Sequence, residues 1–126
     1  MWFKATAADT QGRFSLMERT LPARGRMPPA HRHLGNDEAY FVLEGWVEFH
    51  VEGEVFDGAT GTFVFVAAGE SHTFGNVSDD PARLLVLHAP ALDSYFEDLE
   101  QLWCPPREPS RDTELALMQR HGMEPA

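Results

Sequence analysis

The sequence predicts an all-β fold, a sandwich or closed barrel, followed by a helical tail. Two observations predict it. From Phe14 to about Ala89 the chain is a series of short strand-like runs separated by turn residues, the pattern of a sandwich or barrel, of which the jelly roll is one closed form. After Leu92 the apolar spacing changes from alternation to every third or fourth residue, the period of a helix with one buried face.

In chain order, Phe14-Ser15-Leu16 starts an alternating run. Ala39 to Leu43 and Trp46 to Val51 are two strands joined through Glu44-Gly45. Glu52-Gly53 predicts a tight hairpin, because a short turn between twisted strands needs residues that accept positive φ. Asp57-Gly58 to Gly61 is a further turn. Thr62 to Val66 is a continuous apolar run, expected of a strand covered on both faces. Asn76 to Pro81 is a polar loop, and Arg83 to Ala89 is the last strand. Leu92, Tyr95, Phe96, Leu99, Leu102 and Trp103 then mark an amphipathic helix. Ser94-x-x-Glu97 is its expected capping box and Pro105-Pro106 its stop. A second helix is expected from Arg111 to His121, ended by Gly122. The expected division is a barrel over 1–90 and a helical extension over 91–126, packed on the barrel or on a partner subunit.

The 126 residues make one domain with room for a core. A formal net charge of −10 with no basic cluster argues against nucleic acid and anionic membranes as partners. Cys104 is the single cysteine, so no internal disulfide can form, and it is read as a half-buried thiol. The start of the chain lacks the apolar run of a signal peptide, and no stretch is apolar enough to span a bilayer. A cytoplasmic protein is the expectation.

The residues that carry chemistry are His31, His33, Glu38 and His72. Alternate side chains on a strand share a face, so His31 and His33 project together. Glu38 has the wrong parity on an unbroken strand. The intervening Leu34-Gly35-Asn36-Asp37 reads as a turn, which resets the parity. His72 follows the turn at Gly69-Glu70-Ser71. Three imidazoles and a carboxylate suit one divalent transition-metal ion: manganese, iron, cobalt, nickel, copper or zinc. By the same parity Tyr40 and Val42 share a face with Glu38. Phe74 and Asn76 follow His72, and Met27 follows the histidine pair. Tyr40, Phe74, Met27 and Val42 are therefore the expected pocket residues, although apolar side chains here can simply fill a narrow barrel, which is the favoured reading for Met27 and Val42. His50 is placed outside the barrel. His88 is read as a hydrogen-bonded structural histidine or, alternatively, as a proton-transfer residue. His121 is read as solvated.

The spacing of the cluster resembles the two motifs of the cupin superfamily. The first, G-x5-H-x-H-x4-E-x6-G, is met by Gly25, His31, His33, Glu38 and Gly45. The second, G-x5-P-x-G-x2-H-x3-N, is met by Gly61, Gly69, His72 and Asn76, with Ala67 in place of the proline. Nine of the ten fixed positions match, within residues 14 to 89. The resemblance implies a cupin-type jelly-roll barrel and a metal held by His31, His33, Glu38 and His72. It covers quercetinase-like small cupins, which include dioxygenases acting on flavonols and related enolisable compounds. It also covers isomerases, decarboxylases, cyclases and sensor domains. The expectation is a dioxygenase-type oxidoreductase on a small aromatic or enolisable substrate, with Glu38 as base. The alternatives are a non-redox isomerase or cyclase and a metal-dependent binding protein without turnover. A homodimer is expected, through an exposed sheet edge and the aromatic face of the first tail helix.

Overall fold

The computed structural model describes residues 1–103 and 108–126; Cys104 and the Pro105-Pro106 stop lie outside these. Ten strands and three helices follow in the order β1 (Trp2–Ala5), α1 (Ala7–Thr10), β2 (Ser15–Leu21), β3 (His31–His33), β4 (Asp37–Glu44), β5 (Trp46–Val51), β6 (Glu54–Ala59), β7 (Phe63–Val66), β8 (His72–Gly75), β9 (Ala82–Ala89), α2 (Asp93–Leu102), α3 (Arg111–Arg120) and β10 (Met123–Pro125). One sheet has the order β1-β2-β9-β4-β7 and the other β10-β3-β8-β5-β6. Successive strands from β2 onward mostly alternate between the sheets, which is the jelly-roll connection. All strand pairs described are antiparallel.

Alternation drives the packing. Glu38, Tyr40 and Val42 on β4 are buried, and so are Val47 and Phe49 on β5 and Leu84 and Val86 on β9. Their side chains meet between the sheets, with Tyr40, Phe49 and Phe74 ring to ring at centroid distances of 5.0 to 6.3 Å. Burying a side chain such as Phe49 is worth roughly 1.5–3 kcal/mol, so this aromatic layer is a main tie between the two sheets. Glu52 and Gly53 both take positive φ, 50° and 82°, which is the hairpin read from the sequence. Gly45 also has positive φ, and a Cβ there would stand 2.8 Å from the Pro81 carbonyl oxygen. The β4–β5 turn thus needs glycine both for its conformation and for its close approach to the neighbouring loop.

Three features differ from the expectation. Strand β7 is not covered on both faces. It lies at the edge of its sheet, and Phe63 and Phe65 are 63% and 54% exposed while Val64 and Val66 face the core. An apolar run alone cannot distinguish a doubly buried strand from an edge strand with aromatic residues outside. The capping box of α2 does not form. The helix starts two residues earlier, with Leu92 rather than Ser94 at its cap. Leu92 N–H instead donates to Ser15 Oγ (2.9 Å), and Asp93 in the first turn accepts from Ala7 N–H (3.0 Å). Contacts to β2 and α1, distant in sequence, set this helix start.

The third difference is the tail. It does more than pack on the barrel, because β10 pairs with β3, with Met123 opposite His33 and Pro125 opposite His31. Three residues ending in proline give no strand signal of their own. The aromatic face of α2 is turned inward, burying Tyr95, Phe96 and Leu99. Most of that face is therefore covered by the chain itself, with Leu102 partly buried and Trp103 at its end exposed. Most of the large apolar side chains left outside lie on the barrel, among them Phe41, Phe63 and Phe65 on paired strands β4 and β7. Among the described residues, no helix is long and apolar enough to cross a membrane.

Candidate metal centre

The site is assembled from both sheets. A row of cross-strand partners, Ser15, His88, Glu38 and Val66, runs across β2, β9, β4 and β7. Facing it, His31 pairs with His72 across β3 and β8, and His33 lies two residues along β3. Glu38 thus projects from one sheet towards three histidines on the other. His31, His33, Glu38 and His72 are all buried and place one ligand atom each within 4.8 Å of the others.

Glu38 is the hub. Its Oε2 lies 2.6 Å from His33 Nε2, 3.0 Å from His72 Nε2 and 3.3 Å from His88 Nε2. Its Oε1 accepts a hydrogen bond from the Tyr40 hydroxyl. Burial pushes the Glu38 carboxyl up, but nearby His88 and the contacts of His33 and His72 outweigh it and hold it well below the usual range. Burial and the facing carboxylate push the Tyr40 phenol well above its usual value, so Tyr40 remains a donor.

The histidines differ in what the backbone asks of them. His31 Nδ1–H donates to the Pro29 carbonyl (2.7 Å), which leaves Nε2 with its lone pair. Burial, aided by His72, lowers its pKa to about 4, so its ring is neutral at physiological pH. His33 is also pushed down by burial; its Nδ1 has no hydrogen-bond partner, and its Nε2 meets Glu38 Oε2 at 2.6 Å outside hydrogen-bond geometry. His72 behaves oppositely. Burial pulls it down, but the carboxylate of Glu38 prevails and raises it. Its Nδ1–H donates to the Glu70 carbonyl (3.1 Å) and its Nε2–H to Glu38 Oε2 (3.0 Å).

These features fit a divalent ion. A buried nitrogen without a hydrogen bond is costly, and His33 has no partner at Nδ1 and only the 2.6 Å contact of Nε2 with the Glu38 carboxylate, outside hydrogen-bond geometry. A cation shared by His33, Glu38, His31 and His72 would engage such a lone pair and balance the buried carboxylate. The fit has a pH signature. His31, already neutral, gives up no proton to a metal at neutral pH, whereas His72 must lose one at any pH below its raised pKa. Affinity should therefore rise about tenfold per pH unit below the raised pKa of His72 and level off above it. Titration calorimetry in buffers of different ionisation heat should find about one proton released per ion below that pKa. No release across pH 6 to 9 would rule out His72 as the titrating ligand.

Beside the cluster lies a cavity of about 580 Å³, within the range of small-molecule sites. His31, His33 and Glu38 line one part, and Phe74, Met17, Val86, Tyr95, Phe96 and Leu99 give it apolar walls. Of the pocket residues expected from parity, Phe74 lines it. Tyr40 does not. Its ring packs on Phe49 and Phe74 while its hydroxyl holds Glu38. Val42 is fully buried in the core, two residues farther along β4. Met27 is not on the wall either, because its side chain packs where Gly75 has no Cβ, within 3.2 Å of the position a Cβ would take.

His88 is not a hydrogen-bonded structural histidine. It is buried, and neither ring nitrogen has a hydrogen-bond partner; its 3.3 Å contact with Glu38 lacks hydrogen-bond geometry. Its ring lies against His33 and Phe96. His50 is half-buried beside Glu48 (2.7 Å), away from the cluster. His121 is not merely solvated, since its Nε2–H donates to Asp98 (3.0 Å). Two wall features were missed. The α2 aromatics were recognised as a packing stripe but not as a cavity wall. Arg19 shares the inward parity of Ser15, Met17 and Leu21, and that alternation was the signal that could have found it.

The comparisons agree with this geometry. The uncharacterized protein SCO3923 of Streptomyces coelicolor is 41% identical over 54 residues, 43% of this chain and 50% of that protein. The chain's match thus spans about half the length of this curated relative. The crystal structure of TT1209 from Thermus thermophilus is 31% identical, with a TM-score of 0.61 over 72% of this chain and 86% of that one. The DMSP lyase DddQ from Ruegeria pomeroyi is 32% identical, with a TM-score of 0.54 over 62% of this chain and 39% of that one. The family model of the Cupin domain matches residues 17–88, a span that contains all four residues of the cluster, and the chain belongs to that family.

Proposed function

We propose that this chain is a mononuclear-metal enzyme acting on a small, enolisable or aromatic molecule, and that its turnover consumes dioxygen. The observation that carries the proposal is the adjacency of the His31, His33, Glu38 and His72 cluster to a cavity walled by Phe74, Tyr95 and Phe96. A divalent ion held there would supply Lewis acidity and coordination positions for an enolate oxygen and dioxygen. The protein's own groups do the rest. The apolar wall excludes water, which strengthens every charge interaction inside. Glu38 is kept ionised, with Tyr40 fixing its orientation. His88, buried with no hydrogen bond on either nitrogen, adds a polar group 3.3 Å from Glu38 Oε2.

A second reading is non-redox elimination or isomerisation in the same cavity. The 32% identity to a protein named as a DMSP lyase favours it. Oxygen-electrode assays of metal-loaded protein with flavonols and β-diketones separate the two. The expected result is oxygen consumed in proportion to product. Product without uptake would replace the first reading with the second, and saturable binding with no product would leave a binding protein.

A further inference from the structure

We propose that Arg19 anchors a carboxylate, so that the cavity takes a monoanionic organic acid with an apolar or aromatic body directed towards the histidine–Glu38 cluster. This rests on the reading of the cavity as a substrate site. Arg19 lies on the inward face of β2 and lines the cavity, its guanidinium 5.6 Å from the centroid of the Phe74 ring. It makes no ion pair or hydrogen bond among the described residues, whereas Arg24, Arg26, Arg32 and Arg83 each face a carboxylate. Burial pulls its pKa down, with the negative ends of Tyr95, Tyr40 and Glu38 opposing. A guanidinium in that setting is a planar double donor without an acceptor, and a carboxylate matches it in shape and charge.

The position sets the length of the guest. Phe74 is two residues along β8 from His72, about 7 Å, and the guanidinium lies over that ring. One ring with a short linker spans such a gap. The charge count favours a single negative charge. Arg26, the other arginine on the wall, is held by Glu108 at 3.1 Å and by Glu114. Glu100 lines the cavity as well. A dianionic phosphate would meet one unpaired arginine and several carboxylates.

The test uses cinnamate and its neutral isostere cinnamamide, titrated calorimetrically into metal-loaded and metal-stripped protein, with phenyl phosphate as a third probe. Wild-type protein should bind cinnamate at least 10- to 100-fold tighter than cinnamamide in both forms. Arg19→Met should abolish that preference and leave cinnamamide binding unchanged, while Arg19→Lys should keep part of it. Arg19→Gln serves as a second neutral variant, and circular dichroism confirms folding of each. Equal affinity for acid and amide, no binding of the acid, or an undiminished preference in both neutral variants would overturn the assignment. Tighter binding of phenyl phosphate would overturn the carboxylate. Metal content of the same samples separates the two ideas. Stoichiometric metal without acid preference sinks only Arg19. Acid preference that depends on Arg19, in protein that takes up no metal, sinks only the metal-centred reading.

Discussion

His72→Ala should strip the protein of its metal, lowering affinity by at least about a thousandfold. Altering a group that merely orients a ligand costs roughly 10- to 100-fold, and His72 supplies a ligand atom itself. It sits in the middle of the cluster, with ring centroids 4.5 Å from His31 and 5.1 Å from His33. It is also the histidine that Glu38 holds in hydrogen-bond geometry, at 3.0 Å. Elemental analysis after gel filtration should find about one ion per chain in wild-type protein and a small fraction of that in the variant. The barrel should survive, because Glu38 keeps His33 and His88 within 3.3 Å and the aromatic layer beneath is untouched. His50→Ala is the control. It changes a histidine at the same distance scale from a carboxylate, Glu48, but away from the cluster, and should leave metal content unchanged. Full occupancy in His72→Ala would remove the basis of the site assignment.

The cluster was legible in the sequence because its physics is local. Alternation put His31 beside His33, and a turn at Gly35-Asn36-Asp37 let Glu38 face the same interior. The burial of Glu38, Tyr40 and Val42 on one face of β4 follows from that parity. What remained hidden depends on contacts between distant segments. Strand β10 exists because Met123 to Pro125 find the free edge of β3, and nothing in those residues announces it. The start of α2 depends on Ser15 and Ala7. Parity shows that Tyr40 points inward, but not that its hydroxyl holds Glu38 while the wall is built by Tyr95 and Phe96. Arg19 was overlooked for a different reason. One basic residue in an alternating strand reads as part of the solvated face until the parity of Met17 and Leu21 is applied to it.

Glu38→Gln should separate holding the ion from using it. Glutamine keeps the shape and one acceptor oxygen, so the three histidines and that oxygen can still hold the ion, and affinity should fall less than turnover does. Turnover should fall further, by about a thousandfold or more, because the amide cannot accept a proton and general-base groups typically contribute 10²–10⁴-fold. A second readout bears on the charge itself. The carboxylate is what raises His72 above its ordinary value, so without it His72 is left to the downward pull of burial. The proton released on metal binding just above pH 6.5 should then disappear, and the pH at which affinity levels off should move down. Calorimetry in paired buffers measures both. If metal affinity and turnover fall by the same factor, Glu38 is a ligand alone. If proton release persists in the variant, another group is the one displaced, and the coupling of Glu38 to His72 is not what sets the pH dependence of this centre.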